Sequence, residues 1–441
     1  MRMALVCSVL GLAAFLPSIW AAPGAKIVVE PRADRDEPVY KCGETAVFTI
    51  VVLKDDKPVT EGEVVVQLSL DGGRPIAGMK TIALGPEPAT ISGTLTEPGF
   101  LLCTASLRVN DAVQTGYASA AFEPERIQNM AIVPDDFDAF WAEGRARVDA
   151  IPMDLQLTPV PKFTDDTQET FKISLANIDG TRIYGYLSVP KGRKPPYPAF
   201  VSVPGAGVGA PGSPIDGQAA DGALSLVMGV HTHDLGLSDE EYRTLNEGPL
   251  RNYQRQGIPD RERYFYRRAI LGIDRAVRYL MSRPDWDGKH LVYYGSSQGG
   301  GIGLILAGLN PEFTAAAVNV PAMCDRSAYR AERGRGWPPV DLDVPKEEME
   351  QYAKMVEYFD AVNFARKIRC PVIMSVGFMD RTCPPSSVYA AYNVIQAPKR
   401  MFHGPRTGHA TPPSFPVLRE FLDPWLNAQL GRTAPIPPTA E

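Results

Sequence analysis

Gly295-Ser296-Ser297-Gln298-Gly299 places a serine at the centre of a glycine-flanked turn. Where a strand turns sharply into a helix, the central residue is forced into strained backbone geometry. Glycines on either side avoid the clash, and the serine hydroxyl is lifted above the sheet edge. The pattern alone is weak, since with Gly and Ser each near ~7% of residues it arises by chance in roughly one chain in ten of this length. Its setting strengthens it. Leu291 to Tyr294 reads as a buried strand, Gly299 to Leu309 as a helix rich in Gly, Ala and Leu, and further glycines at 300, 301 and 303 let that helix pack closely on a sheet. The helix N-terminus favours developing negative charge. The chemistry expected is nucleophilic attack by Ser297 on an acyl carbon.

Such a serine needs a base, and the base needs an orienting acid, in the chain order serine, acid, histidine. Only His403 and His409 follow Ser297. His409 lies in Arg406-Thr407-Gly408-His409-Ala410, a loop before the last expected helix, and is the first choice. His403, directly after Met401-Phe402, ends a strand and is the second. Asp380 follows the apolar strand 371 to 376 through Gly377-Phe378-Met379 and is the expected acid; its plainer reading is a turn aspartate before Arg381. The oxyanion donors expected are the backbone N–H of Gln298 and one from Val203-Pro204-Gly205-Ala206-Gly207, assigned to Ala206, with Gly205 or Gly207 one position away. That loop has no following Lys-Ser/Thr, so it is not a phosphate loop. His231 and His233 follow the strand ending at Val230 and are read as substrate-binding or loop-bonding residues. No third ligand stands at a recognisable spacing, so no metal is expected.

The elements that must position these residues begin at Pro134-Asp135-Asp136, where proline and acids open a helix carrying Phe137, Phe140 and Trp141. Strands and helices then alternate, the signature of a mainly parallel sheet covered on both faces. Strands are expected at 199–203, 224–230, 291–294, 315–320 and 371–376. Tyr266, Ile270, Ile273, Val277 and Leu280 recur at helical spacing and give one apolar face. A last helix is expected from Ser414 to Leu430, and Tyr329 to Asp360, with an acidic helix, reads as a lid or assembly contact. Before all this, Lys26 to Phe122 is short β-rich runs between turn signals, the text of an immunoglobulin-like β-sandwich. The fold class expected is thus α/β: an α/β-hydrolase domain preceded by that sandwich.

Arg2, an apolar stretch from Met3 to Leu16, and Trp20-Ala21-Ala22-Pro23 have the order a signal peptidase reads, which implies a secreted or periplasmic protein. The boundaries expected are a signal peptide at 1–21, the sandwich at 22–125, the catalytic domain at 126–431 and a disordered tail at 432–441. No later segment of the 441 residues is apolar enough to span a bilayer, so no stable membrane span is expected. A net charge of -6 without basic runs excludes nucleic acid as a partner. Beyond the signal, Cys42, Cys103, Cys324, Cys370 and Cys383 are an odd number, so at least one thiol stays unpaired. Cys42 and Cys103 either bridge or are buried apolar side chains.

The second domain resembles the acetyl xylan esterase and cephalosporin C deacetylase family of α/β hydrolases, from Pro134 to Leu430. The resemblance is carried by Pro134-Asp135-Asp136-Phe137-Asp138-Ala139-Phe140-Trp141, Gly295 to Gly300, Tyr358-Phe359-Asp360, Asp380 with Cys383-Pro384-Pro385-Ser386-Ser387, Ala390-Ala391-Tyr392-Asn393 and Gly408-His409. It implies a Ser297, Asp380 and His409 triad, Gln298 and Ala206 as oxyanion donors, and no cofactor. It also implies removal of acetyl groups from saccharides or related small esters, and a homo-oligomer, a hexameric ring whose contacts an added sandwich blocks or reshapes. This sequence departs from the family where its His-Gly-Tyr loop reads Pro204-Gly205-Ala206, where Arg-Gly-Gln has no counterpart near Gly229 to Asp234, and where His-Glu reads His409-Ala410. Two other readings stay open: an aromatic-acyl esterase or peptidase on the same scaffold, and a catalytically inactive carbohydrate-binding protein.

Overall fold

The computed structural model describes residues 18–19, 25–110, 112–210, 219, 221–339, 345–410 and 416–432. Apart from Ser18–Ile19 and Arg432, the expected signal peptide and tail lie outside these residues.

Two sheets come first. Ile27–Ala33, Ala46–Lys54, Lys57–Pro58 and Ala89–Gly93 form one; the other runs Val39–Tyr40, Ala112–Phe122, Gly99–Val109, Glu63–Leu70, Lys80–Ala83, with Ser18–Ile19 pairing alongside Gly99–Val109. Ala46–Lys54 shows why these are half-buried strands. Its residues alternate between buried and partly exposed along the pleat, and Phe48, Ile50 and Val52 meet Val64, Val66, Leu68 and Leu101 of the other sheet in one apolar cluster. Cys42 and Cys103 are both free thiols, and Cys103 is wholly buried in that cluster, so the apolar reading holds for it.

The remaining strands make a nine-stranded sheet in the order Gln156–Pro159, Gln168–Ala176, Arg182–Pro190, Leu224–Met228, Tyr197–Val203, Trp286–Ser296, Ala315–Asn319, Val372–Gly377, Lys399–Gly404. The first three pairings are antiparallel and the rest parallel. Leu224–Met228, Ala315–Asn319 and Val372–Gly377 are buried along their whole length, as inner strands of a sheet covered on both faces are. Helix Phe265–Ser282 covers one side, with Tyr266, Ile270, Ile273, Val277 and Leu280 fully buried. Each such side chain contributes about 1.5–3 kcal/mol to holding the helix on the sheet.

Helix Phe137–Asp149 starts at Phe137, later than the Pro134 signal implied, and buries Phe137, Phe140 and Trp141. The described part of Tyr329 to Asp360 is built into the core. Helix Lys346–Glu357 buries Tyr352, Met355 and Val356, and Arg326 reaches Tyr264 and Tyr352 hydroxyls from within. Asp360 caps the next turn and accepts the backbone N–H groups of Asp325 and Arg326 at 3.0 and 2.7 Å. Its burial, with the Asp325 and Glu357 carboxylates nearby, pushes its carboxyl up to about 8. Phe100 of the N-terminal sheets packs on Phe378 and Tyr389, so the N-terminal sheets and the nine-stranded unit share an apolar joint.

Candidate active site

Ser297 is the residue between strand Trp286–Ser296 and helix Gln298–Leu309, with φ 56° and ψ −121°. That left-handed backbone is costly for a non-glycine residue and persists only where its surroundings fix it. They do so here. Ser297 N–H donates to Asn319 O at 2.9 Å, and its carbonyl accepts from Gly301 and Ala322. Gly299 has no alternative, because a Cβ there would sit 2.0 Å from the Val203 carbonyl.

Strands Val372–Gly377 and Lys399–Gly404 are parallel neighbours, so the loops after them emerge side by side. Gly377 lets the second loop lie against the first, since a Cβ there would meet Gly408 O at 2.2 Å. Asp380 and His409 are thereby brought together. His409 Nδ1 lies 2.7 Å from Asp380 Oδ2, and His409 Nε2 lies 2.9 Å from Ser297 Oγ. Asp380 is buried, and its Oδ1 accepts the Thr382 and Cys383 backbone N–H groups, each at 2.8 Å. The carboxylate is thus fixed by three donors and presents one oxygen to the imidazole, an arrangement that holds the ring in the tautomer whose Nε2 takes a proton from serine. His403 lies elsewhere, with its Nε2 2.5 Å from the Tyr389 hydroxyl. Of the two histidines, His409 is the one at Ser297.

Asp380, Cys383 and His409 also gather their donor atoms within 4.8 Å, a spacing a metal ion could use. The donor set does not suit one. The Asp380 oxygens are taken by His409 and two backbone N–H groups, and His409 Nε2 is directed to Ser297 Oγ.

The other side of Ser297 is a network of neutral groups. Loop 204–207 passes over the turn, with a Cβ on Gly205 reaching 3.9 Å from Ser297 Cβ. The wholly buried Gln298 side chain donates through Nε2 to Gly205 O at 3.3 Å, and its Oε1 accepts the hydroxyls of Tyr253 and Tyr266, each at 2.7 Å. The Tyr253 oxygen accepts Gly207 N–H at 3.3 Å, and His231 Nε2 meets Gly207 O at 2.8 Å. Of the two readings of His231, loop bonding is the one its geometry carries, because the ring is 5% exposed beneath the loop. His233 stacks on it, half-buried, with Nδ1 toward its neighbour's carbonyl. Burial pushes His231 down to about 4 and Tyr253 up to about 12, so both stay neutral near pH 7. A cavity of about 340 Å³ runs beside this loop, between Pro204 to Ala210 and Gly229 to His231. Ala206 is exposed on the loop, and Gln298 opens the helix, so their backbone N–H groups belong to the two segments that flank Ser297.

The sequence reading missed Tyr253 and the hydroxyl role of Tyr266. Tyr266 had already been counted in an apolar helix face, and Tyr253 lies outside any motif, so only the fold brings the two phenols to Gln298.

A family model described as acetyl xylan esterase (AXE1) matches residues 125–422. Acetyl esterase Axe7A of Xylanibacter ruminicola is 33% identical over 323 residues, 72% of each chain. Among solved structures, an acetyl xylan esterase from Paenibacillus sp. R4 is 27% identical with a TM-score of 0.60, matching 69% of this chain and 98% of its own. Acetyl xylan esterase 1 from Thermoanaerobacterium sp., 23% identical with a TM-score of 0.56 over 71% of this chain and 98% of its own, shares the fold.

Proposed function

The chain belongs to the acetyl xylan esterase family, a family of serine carboxylesterases, and on that premise we propose that it removes acetyl groups from oligo- or polysaccharides through an acyl-enzyme on Ser297. The observation that carries this reading is the unbroken hydrogen-bonded line from Ser297 through His409 to Asp380 at the carboxyl edge of the sheet.

In this reading His409 Nε2 takes the Ser297 proton as Oγ attacks the acetyl carbon, while Asp380 holds the ring and stabilises the imidazolium that forms. The oxyanion sits between the backbone N–H groups of Gln298 and Ala206, and the helix beginning at Gln298 adds its dipole. His409 then returns the proton to the departing sugar hydroxyl, and water repeats the sequence to release acetate. The Gln298 and His231 contacts to the Gly205 and Gly207 carbonyls, with the Tyr253 contact to the Gly207 N–H, hold the loop that carries the Ala206 donor.

Acetate release from acetylated xylan, compared with cleavage of feruloyl esters and peptide amides, tests the substrate class. Absence of acetate release from a folded protein that still labels with a covalent serine probe would remove the acetyl reading while keeping the nucleophile.

We also infer that residues 22–125 form an accessory module of immunoglobulin-like type beside a catalytic domain at 126–431. The N-terminal strand order supports this, with Val39–Tyr40 joining in parallel the end of the antiparallel run Ala112–Phe122, Gly99–Val109, Glu63–Leu70, Lys80–Ala83. Export by cleavage of residues 1–21 belongs to the same proposal, supported by the charge-apolar-small order of that segment. Among the described residues no helix is long and apolar enough to cross a membrane.

A further inference from the structure

Where the N-terminal sheets meet the nine-stranded unit there is a cleft of about 630 Å³, larger than the cavity beside the serine loop. Its lining carries Arg74 from the turn after Glu63–Leu70, Arg333 and Arg335 from the segment after Ala328–Ala331, and Arg381, the residue next to Asp380. Two carboxylates share the lining. Glu332 pairs with Arg74 at 3.1 Å, and Asp71 is turned onto Ser386, accepting its backbone N–H at 3.1 Å and its hydroxyl. Arg333 is matched from behind by Asp325 at 2.7 Å.

Arg74 and Arg333 are thus matched, which leaves Arg335 and Arg381 without a carboxylate among the described residues. Arg335 is exposed and has no carboxylate partner among the described residues, and Arg381 donates to a neutral group, the Tyr117 hydroxyl. Arg333 is only 6% exposed and is held by Asp325 and the Gln128 carbonyl, so it forms a fixed wall of the cleft.

From this geometry we propose that the cleft binds the carboxylate of an acidic saccharide, a uronate carried on the chain whose ester is presented to Ser297. Planar guanidinium forks match a carboxylate in two-point contact, and two unmatched guanidiniums suit a single carboxylate rather than a polyanion. The loop 380–384 supplies both the acid beside His409 and a wall of the cleft, through Arg381 and Pro384, so a saccharide seated there follows the loop that carries Asp380. The saccharide half of the inference rests on the deacetylase reading; the anion half rests on the cleft alone.

The test is calorimetric binding to the full chain of a xylo-oligosaccharide bearing one uronate branch, beside the same oligosaccharide with that carboxylate reduced to an alcohol and a third with a sulfate in its place. The acid form is expected to bind at least about tenfold more tightly than the reduced form, and to weaken with added salt. Arg335→Glu, checked for an unchanged melting temperature, is expected to abolish the preference, with Arg335→Gln as a milder variant should the first not fold. Equal binding of acid and reduced forms, a preference that survives both substitutions, or tighter binding of the sulfated form would overturn the proposal. None of the three ligands carries an acetyl group. A failure here therefore leaves the deacetylase reading standing, and a failure to release acetate leaves this result untouched.

Discussion

The two sides of Ser297 are built from different chemistry. Downstream, Asp380 and His409 form a charge-assisted line that ends at the serine hydroxyl, with the imidazole reaching solvent and the carboxylate buried behind it. Upstream, Tyr253, Tyr266, Gln298 and His231 form a buried network of neutral groups that ties down the loop 204–207. Proton transfer needs a group whose charge can change during the reaction, whereas an oxyanion site needs dipoles that do not reorganise or titrate. Burial achieves the second requirement by pushing His231 down and both phenols up, so that all three stay uncharged near pH 7.

Removing the Ser297 hydroxyl should break the comparison most severely. Ser297→Ala is expected to lower kcat by roughly a millionfold, measured as acetate release, with the covalent serine label lost and the melting temperature kept. Asp380→Asn comes next. It preserves shape but reverses the hydrogen-bond demand on His409 Nδ1, and a loss of about 10⁴-fold in kcat is expected; a loss of under tenfold would show that Asp380 is a turn residue only.

A smaller change is expected on the neutral side. Tyr253→Phe deletes a hydroxyl that donates to Gln298 and accepts from Gly207, so kcat should fall about ten- to a hundredfold, at about 1–3 kcal/mol for the buried groups left unpaired. The pH-rate profile should keep its shape, because no titrating group is touched; a profile displaced along with the rate would place Tyr253 on the proton-transfer side.

The smallest effect concerns stability rather than rate. His231 binds a proton near 6.5 when unfolded and near about 4 when folded, so between these values the unfolded chain holds more protons and stability falls as pH falls. His231→Gln keeps a donor for Gly207 O and should flatten that slope, a difference of roughly 2–3 kcal/mol between pH 7 and pH 4.5 in paired denaturation curves. Asp71 and Asp360, raised to about 6 and about 8 by burial, act in the opposite direction. Subtracting the variant from the wild type cancels their contribution.

Much of this was legible in the residues because it is encoded locally. The Gly-x-Ser-x-Gly turn, the apolar runs of the parallel strands and the helical spacing from Tyr266 to Leu280 each lie within one short segment, and the structure has strands and helices there. The antiparallel pair Gln168–Ala176 and Arg182–Pro190 was missed, since unbroken burial at 173–175 and 185–188 interrupts the alternation that marks a strand. Lys80–Ala83 and Ala89–Gly93 were missed for a similar reason, being short and interrupted by exposed residues.

What the sequence determined by itself is therefore the set of local geometries: a serine forced into a strained turn, strands and helices in alternation, and an acid and a histidine in the loops after two late strands. Which histidine meets the serine, and what stabilises the loop facing it, was decided by the tertiary structure. Parallel neighbouring strands set Asp380 beside His409, and helix packing carried two phenols to Gln298, contacts spanning from 29 to 112 residues that no local pattern encodes. The arginine cleft has the same origin, because its guanidiniums come from three distant segments and line one cleft only once two sheets and a loop are packed together.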